Sequence, residues 1–260
     1  GSVTCVGGGT GGSPGAADNA ILDASSGGGT VTPTVTISVS SITTGAFTGT
    51  VAFNTNNNNV NLVTGFFNAG TGARTINLGS GTWTISGGSG NYFDNGTLTN
   101  CTSCVWSNAT VVITGNTTAT RTFVGGSQTY GTLTISTNTS RGLSGITGAN
   151  TFANLNLAAG TTQVVPSGST TTISNAMTLT GTSTTPISII SSTTTSVATL
   201  SLSSGASTLV WGALLELTTA GLGTFVGTNC LDLGRVTYDA GDSCTAPVVG
   251  GGGGGRIIGG

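Results

Sequence analysis

Apolar residues recur along this chain between Ala109 and Leu202 at a fixed step of about 22 residues, a period typical of repeat architectures. Within each copy two apolar residues alternate with polar ones, which is typical of a strand with one buried face. The first apolar column is Val111, Leu133, Leu155 and Met177, and the second is Ile113, Ile135, Leu157 and Leu179. In a fifth copy the pair moves by one position to Leu200 and Leu202, and we interpret the slip as a one-residue insertion such as a bulge.

Two further series keep the same step. The first lies in the other half of the repeat and contains Leu143, Val165, Ile187, Leu209 and Leu231. The second is shorter and contains Tyr130 and Phe152, with Ile173 and Val197 near the expected places. The series together predict a repeating unit of two or three short strands.

A repeat of this length predicts an all-β fold, a parallel β-helix (β-solenoid) with coils of about 22 residues. Two or three strands of about five residues, with turns, would fill one coil and return the chain to its starting point. Successive coils would stack about 4.8 Å apart, with the apolar columns facing inwards. The alternative for the N-terminal part is a β-sandwich or jelly roll, which also has many short strands.

The pattern divides the chain into four parts. Residues 1–30 are predicted to be a Gly-rich arm or linker, with a helical turn or docking peptide at 16–23. Residues 31–104 are β-rich with an irregular insertion, because the interval from Trp83 to Val111 is longer than the regular step. Residues 105–235 are the regular β-helix, and residues 236–260 are a Gly-rich tail.

The composition agrees with a β-rich fold and argues against two classes of protein, nucleic-acid-binding proteins and proteins with transmembrane helices. Only 5% of residues are charged and the net charge is −2, while the mean hydropathy is +0.28. Thr and Val favour strands, and Gly and Asn favour tight turns. The five basic residues are spread along the chain, so no basic face is expected to bind nucleic acid. No apolar run is long enough to predict a transmembrane helix.

Three segments are similar to repeat phrases of large bacteriophage virion proteins. They are Thr44-Gly-Ala-Phe-Thr-Gly-Thr-Val51, Arg74-Thr-Ile-Asn-Leu-Gly-Ser-Gly-Thr-Trp-Thr-Ile85 and Thr151-Phe-Ala-Asn-Leu-Asn-Leu157. The chain resembles β-helical appendage proteins of tailed phages in style over residues 35–235, and its glycine run closed by Arg256-Ile-Ile258 resembles their C-termini. Bacterial adhesins and extracellular filaments share this Thr/Gly-rich style.

The resemblance implies a non-enzymatic structural protein on the virion surface, such as a capsid decoration, head fibre or tail fibre subunit. Its implied partners are other copies of itself and other virion proteins. The alternative is a subunit of a prokaryotic surface filament or adhesin, located at the cell surface. The family brings no catalytic motif, and we expect no cofactor.

We assign no catalytic, cofactor-binding or metal-binding residue from the sequence. A third possibility, a tailspike-type enzyme that cuts polysaccharides, would need paired carboxylates. Only Asp232, Asp239 and Asp242 cluster, with Arg235 between them. We interpret Asp239 and Asp242 as turn residues, and Asp232 with Arg235 as a surface ion pair. Because the chain has no His, a Ser-His-Asp triad is excluded.

The cysteines suggest local pairs. Cys101 and Cys104 form a CxxC motif, and we expect either a local disulfide or two free thiols. Cys230 and Cys244 are candidates for a second pair at the C-terminal end. A zinc ion shared between the two pairs is not expected, because about six coils would separate them by roughly 29 Å. Cys5 is left over.

The remaining expectations concern exposed features. Trp83, Trp106 and Trp211 could stack on sugars, but core or subunit contacts are the favoured interpretation. The open ends of a β-helix must be covered, and we expect another subunit or the flanking segments to cover them. A specific site should lie off the repeat, either in the insertion at residues 87–104 or near the end at residues 232–244.

Overall fold

The computed structural model describes residues 14–64, 67–87, 90–96, 101, 103–114, 121–136 and 143–247. The protein is 53% strand and 3% helix, and the helical elements of the described residues are short 3-10 turns at Ala24–Ser26 and Phe53–Thr55. In chain order the strands are β1 (Asn19–Ile21), β2 (Thr30–Val31), β3 (Ile37–Val39), β4 (Ser41–Thr43), β5 (Thr50–Ala52), β6 (Val60–Leu62), β7 (Phe67–Asn68), β8 (Thr75–Asn77), β9 (Thr82–Ile85), β10 (Gly90–Asp94), β11 (Thr110–Ile113), β12 (Arg121–Val124), β13 (Thr129–Ile135), β14 (Leu143–Thr147), β15 (Thr151–Leu157), β16 (Thr162–Val165), β17 (Thr170–Thr180), β18 (Ile187–Ser191), β19 (Ala198–Leu202), β20 (Ala206–Leu215), β21 (Leu217–Gly221), β22 (Thr224–Asp232) and β23 (Ser243–Thr245).

These strands form a parallel β-helix of about nine turns, as the sequence predicts. Each coil contributes to three parallel ladders that run along the helix. Ladder A contains β3, β6, β9, β11, β13, β15, β17, β20, β22 and β23. Ladder B contains β1, β4, β7, β10, β12, β14, β16, β18, β20 and β22. Ladder C contains β2, β5 and β8, and then β13, β15, β17, β19 and β21.

Five long strands belong to two ladders each. Strands β13, β15 and β17 run from ladder C into ladder A. Strands β20 and β22 run instead from ladder A into ladder B. They bend at Trp211 and Asn229, which lie at equivalent positions and have φ values of 53° and 52°. The corner between ladders A and B is therefore a single left-handed residue near the C-terminal end.

The N-terminal part belongs to the same β-helix, so the alternative of a sandwich or jelly roll is wrong. Strands β1 to β9 pair only in parallel in the described residues. The helical turn predicted at residues 16–23 is also wrong, because Asn19–Ile21 is a strand that pairs with Ser41–Thr43 of the next coil. The helical turn comes later, where the Asp23 side chain accepts hydrogen bonds from the backbone of Ser25 and Ser26.

The register confirms the regular part of the repeat. Val111, Leu133, Leu155 and Met177 are successive partners, as are Ile113, Ile135, Leu157 and Leu179. Val111 also pairs with Trp83 across the longer coil, so the irregular insertion is confirmed. Tyr130, Phe152 and Ile173 are successive partners in ladder C. Val197 does not continue them, because Ile173 pairs with Leu202.

Two features of the sequence pattern are wrong: the fifth copy of the first pair of columns, and the series from Leu143 to Leu231. Leu200 and Leu202 do not follow Met177 and Leu179 with a bulge; they pair with Thr171 and Ile173 in ladder C, and Leu209 follows Leu179. The series from Leu143 to Leu231 does not exist as a column. Leu209 pairs with Gly227, whereas Leu231 pairs with Ala213 and is 46% exposed. The reason is coil length. It varies along ladder B, where Leu143 pairs with Thr162 and Val165 pairs with Ser191, and it changes in ladder A after β17, so a constant step does not connect equivalent positions.

Aromatic rings fill the core of the middle coils. Phe93 stacks on Phe123 at 4.7 Å between ring centroids with an interplanar angle of 9°. Tyr130 stacks on Phe152 at 5.6 Å, and the edge contact between Phe123 and Tyr130 at 4.8 Å joins the two pairs. Trp83 and Phe67 continue the cluster towards the N-terminus. The coils therefore share one continuous core.

Candidate functional site

Two residues of the Asp cluster, Asp239 and Asp242, belong to the last coil, which starts after β22, whereas Asp232 is the last residue of β22. Asp239 accepts a hydrogen bond from the backbone N–H of Gly221 at 3.1 Å, and Asp242 accepts one from Phe225 at 2.7 Å. Asp232 accepts one from Gly234 at 3.0 Å. Asp239 and Asp242 therefore connect the last coil to the previous one, and Asp232 closes a turn. The backbone N–H of Asp242 also donates to the carbonyl of Asp239, which is the bond expected for the predicted turn residues.

Arg235 forms its ion pair with Glu216 and not with Asp232, so the predicted pair is wrong. Glu216 and Arg235 occupy the same corner in adjacent coils, between ladders B and C, and have φ values of 58° and 43°. The side chain of Glu216 is 11% exposed and that of Arg235 is 52% exposed. Arg235 also donates a hydrogen bond to the carbonyl of Thr194. One arginine thus connects three successive coils at this corner.

The predicted pairing of Cys230 with Cys244 is confirmed. The disulfide joins β22 to β23, with 5.2 Å between the two Cα atoms. Cys230 is 1% exposed, whereas Cys244 is half-buried. Gly227 lies beneath the bridge: a Cβ atom at this position would be 2.8 Å from both Cβ and Sγ of Cys230. This disulfide and Gly227 therefore form one packed unit.

Tyr238 completes the end of the core. It is half-buried and packs against the core cluster. Its phenol oxygen is buried and has no hydrogen-bond partner among the described residues. Burial raises the pKa of Tyr238 to about 12, and the negative charge of Asp232 adds to the rise. The inward side of the last coil is thus built from Tyr238 and the disulfide.

The insertion contains the second disulfide, Cys101–Cys104, with 5.6 Å between the Cα atoms. The backbone of Cys101 forms an isolated parallel β-bridge with Arg74, and that of Val105 forms one with Asn77. The insertion is therefore attached to ladder C. Both cysteine pairs of the described residues are oxidised, and no group of three His, Cys, Asp or Glu side chains lies close enough to hold a metal ion in that part of the chain.

Arg74 is a buried cation next to this insertion. It is 1% exposed and donates hydrogen bonds to the carbonyls of Gly72 at 2.7 Å and Asn95 at 3.1 Å. Burial lowers the pKa of Arg74, and the nearby carboxylate of Asp94 opposes the shift. Arg121 is buried as well, and burial lowers its pKa too. The bonds that Arg74 makes to backbone carbonyls of two coils give it a structural role.

The tryptophans divide between core and corner. Trp83 and Trp106 are buried, at 0% and 3% exposure, which confirms the core interpretation for these two. Trp211 is half-buried at the corner between ladders A and B. Trp83 and Trp106 are thus closed to ligands.

The outward side of ladder A carries amides and hydroxyls that bond to one another between coils. Asn154 donates to Thr132 Oγ1 at 3.1 Å, and Asn156 donates to Thr134 Oγ1 at 3.2 Å. Just beyond the ends of β9 and β11, Ser86 and Thr114 share a hydrogen bond of 2.9 Å. This surface is neutral, and its polar groups are used to hold coils together.

No protein-family model, curated protein or solved structure matches this chain. No helix among the described residues is both long and apolar enough to cross a membrane.

The two regions off the repeat contain structural groups. The insertion has a disulfide and a buried arginine, and the C-terminal end has a disulfide, an ion pair and carboxylates that accept backbone hydrogen bonds. Sequence reasoning missed Glu216, which lies in the coil before Arg235 and outside the Asp cluster.

Proposed function

We propose that this chain is a non-enzymatic structural protein of a bacteriophage virion surface, a capsid decoration, head fibre or tail fibre subunit. The observation that carries the proposal is the continuous stack of about nine parallel coils. At about 4.8 Å per coil the stack is a rod about 43 Å long. A rod of this kind suits a projecting part because every coil is hydrogen-bonded along the axis to its neighbours.

The outer surface supports a structural role. The side chains of ladder A that face outwards bond between coils, as Asn154 does to Thr132. Only 5% of all residues are charged, so the exterior has few groups that could do acid–base chemistry. The resemblance of three segments to phage appendage proteins points to the virion in particular.

The carboxylates support a non-enzymatic role. An enzyme that cuts glycosidic bonds needs one carboxyl group as acid and another as base or nucleophile. Asp239 and Asp242 instead accept backbone N–H groups of the preceding coil. These bonds position the last coil, which is a sufficient reason for both residues to be present.

The alternative function, a subunit of an extracellular prokaryotic filament or adhesin, is favoured by one observation. Two disulfides, Cys101–Cys104 and Cys230–Cys244, lie in the part of the chain that the structure describes. Disulfides persist in oxidising environments and are rare in the cytoplasm, where virions assemble. A protein exported to the cell surface would acquire them directly, whereas a virion protein would acquire them after release from the host.

Immunogold labelling distinguishes the two proposals. Antibodies against the purified chain are applied to phage particles and to cells from the culture that carries the sequence. We expect label on the head or tail of particles. Label confined to cell-surface filaments would select the alternative, and label on neither structure would contradict both.

The non-enzymatic assignment has its own test. The purified chain and its Asp232→Ala/Asp239→Ala/Asp242→Ala variant are incubated with capsular and lipopolysaccharide glycans of the host. We expect no shortening of the glycans by either protein. Shortening by the native chain that is lost in the variant would show that the protein is an enzyme.

A further inference from the structure

The inward column of ladder A changes character at its last two coils. In eight successive coils the position is held by an aliphatic residue: Val39, Leu62, Ile85, Ile113, Ile135, Leu157, Leu179 and Leu209. The next two positions are Gly227 and Cys244. Gly227 has no side chain, and the disulfide fills the space instead, because a Cβ atom at this position would collide with Cys230. In ladder A, the disulfide therefore forms the inward side of the last coil.

Besides the disulfide, this coil is held by the half-buried Tyr238, by the ion pair of Arg235 with Glu216 and by hydrogen bonds to the previous coil. In ladder A, β23 pairs with β22 over three residues. In ladder C a single bridge joins Thr237 to Thr218. Asp239 and Asp242 each add one bond to the backbone of the previous coil, at exposed or partly exposed sites. Hydrogen bonds of this kind stabilise weakly because water competes for both partners.

We propose that the Cys230–Cys244 disulfide is a redox-operated lock that closes the C-terminal end of the β-helix. The co-reactant is a dithiol reductant. It attacks Sγ of Cys244, the less buried residue of the pair, and leaves as a cyclic disulfide; the bridge takes up two electrons and two protons and becomes two thiols. The reaction removes the covalent link that ties residues 233–247 to β22. The lock does not depend on whether the rod belongs to a virion or to a cell surface.

Opening the lock exposes an edge strand. Residues 226–228 of β22 are covered by β23 in the locked state, whereas Cys230–Asp232 pair on one side only in the described residues. When β23 leaves, the unpaired edge extends from Val226 to Asp232. Unpaired edges invite pairing with other chains. Oxidation therefore seals the end of the rod.

Hydrogen–deuterium exchange measured by mass spectrometry tests the lock. The full chain with Cys5→Ser, which prevents links between chains, is compared with and without a dithiol reductant. The bridge closes a loop with a sequence separation of 14, for which the loop-closure effect on the opening equilibrium is on the order of 100-fold. We expect exchange to accelerate by this order in residues 224–228 and 233–247 and to stay unchanged in residues 129–135 and 151–157.

Two variants complete the test. Cys101→Ser/Cys104→Ser keeps the lock, and we expect the same acceleration only after reductant is added. Cys244→Ala has no lock, and we expect fast exchange of the last coil without reductant. The proposal is overturned if reduction leaves the last coil as protected as before, if Cys244→Ala exchanges like the oxidised chain, or if all coils accelerate together.

Discussion

Truncation of Phe123 to Ala tests whether the aromatic stack holds the middle coils together. Phe123 is 1% exposed. Its ring lies 4.7 Å from that of Phe93, 4.8 Å from that of Tyr130 and 5.5 Å from that of Phe152, measured between centroids. Loss of a buried Phe side chain costs about 3–5 kcal/mol in total, and three aromatic contacts, each worth roughly 0.5–1.5 kcal/mol within that total, place Phe123 in the upper part of the range. We therefore expect Phe123→Ala to lower the free energy of unfolding by about 4–5 kcal/mol.

The assay is urea unfolding followed by the fluorescence of the buried tryptophans. The control is Thr122→Ala, because Thr122 lies on the same strand but faces outwards and is partly exposed. A surface change of this kind should stay within about 0.5 kcal/mol. If Phe123→Ala costs no more than Thr122→Ala, the ring is not part of a packed core and the three-ladder arrangement is wrong at this coil.

Three further predictions concern corners and the C-terminal end. Gly70→Ala should destabilise the protein by about 2–4 kcal/mol in thermal unfolding, because its Cβ would be 2.2 Å from the carbonyl oxygen of Gly45 and φ is 66°. The control is Gly29→Ala, which has open space around it and should leave the thermal stability unchanged. Arg235→Gln should cost about 1–3 kcal/mol in urea unfolding, since it leaves the mostly buried carboxylate of its ion-pair partner unpaired, and a neutral result would contradict the ion pair. Tyr238 has a pKa of about 12 in the folded state and about 10 in the unfolded state. The unfolded state therefore loses its proton first, so the stability present below pH 10 falls as the pH rises towards 12. Tyr238→Phe should remove this component from a profile of stability against pH, and an unchanged slope would refute the burial of the phenol.

The regular coils can be predicted because stacking requires like residues at equal steps. Val111 to Met177 lie in coils of equal length, so the sequence period equals the structural register. The equality ends where coil length changes. The step from Leu179 to its partner Leu209 is longer than the regular step, whereas the step from Leu202 to its partner Gly221 is shorter. Turns rich in Thr, Ser and Gly tolerate such changes, and no pattern marks where the next strand starts.

The C-terminal end shows the same limit. The Cys230–Cys244 pair is predictable from proximity in sequence, but the partner of Arg235 is not. The nearest acid in the sequence is Asp232, yet Arg235 pairs with Glu216 in the previous coil. Thr218 and Thr237 are partners in ladder C, and the number of residues between them equals the number between Glu216 and Arg235. This interval is shorter than the regular repeat. A coil of this length, if known, would have placed Glu216 next to Arg235.

Buried groups in coils of unequal length leave no periodic trace in the sequence. The aromatic stack of Phe93 on Phe123 joins partners that are separated by more than the regular step, because the coil between them is longer than its neighbours. The buried arginines carry no periodic signal, since Arg74 occurs once just before β8 and Arg121 occurs once at the start of β12. Only inward columns in coils of equal length repeat at a fixed step, and only they can be found from the sequence.

A cryo-electron microscopy reconstruction of the assembly that contains this chain tests the central claim most directly. The account predicts a virion on whose head or tail the chain forms a straight rod about 43 Å long, with cross-sections of three ladders and a copy number fixed by head or tail symmetry. An open helical polymer of this chain alone, or a density without stacked parallel coils, would contradict it.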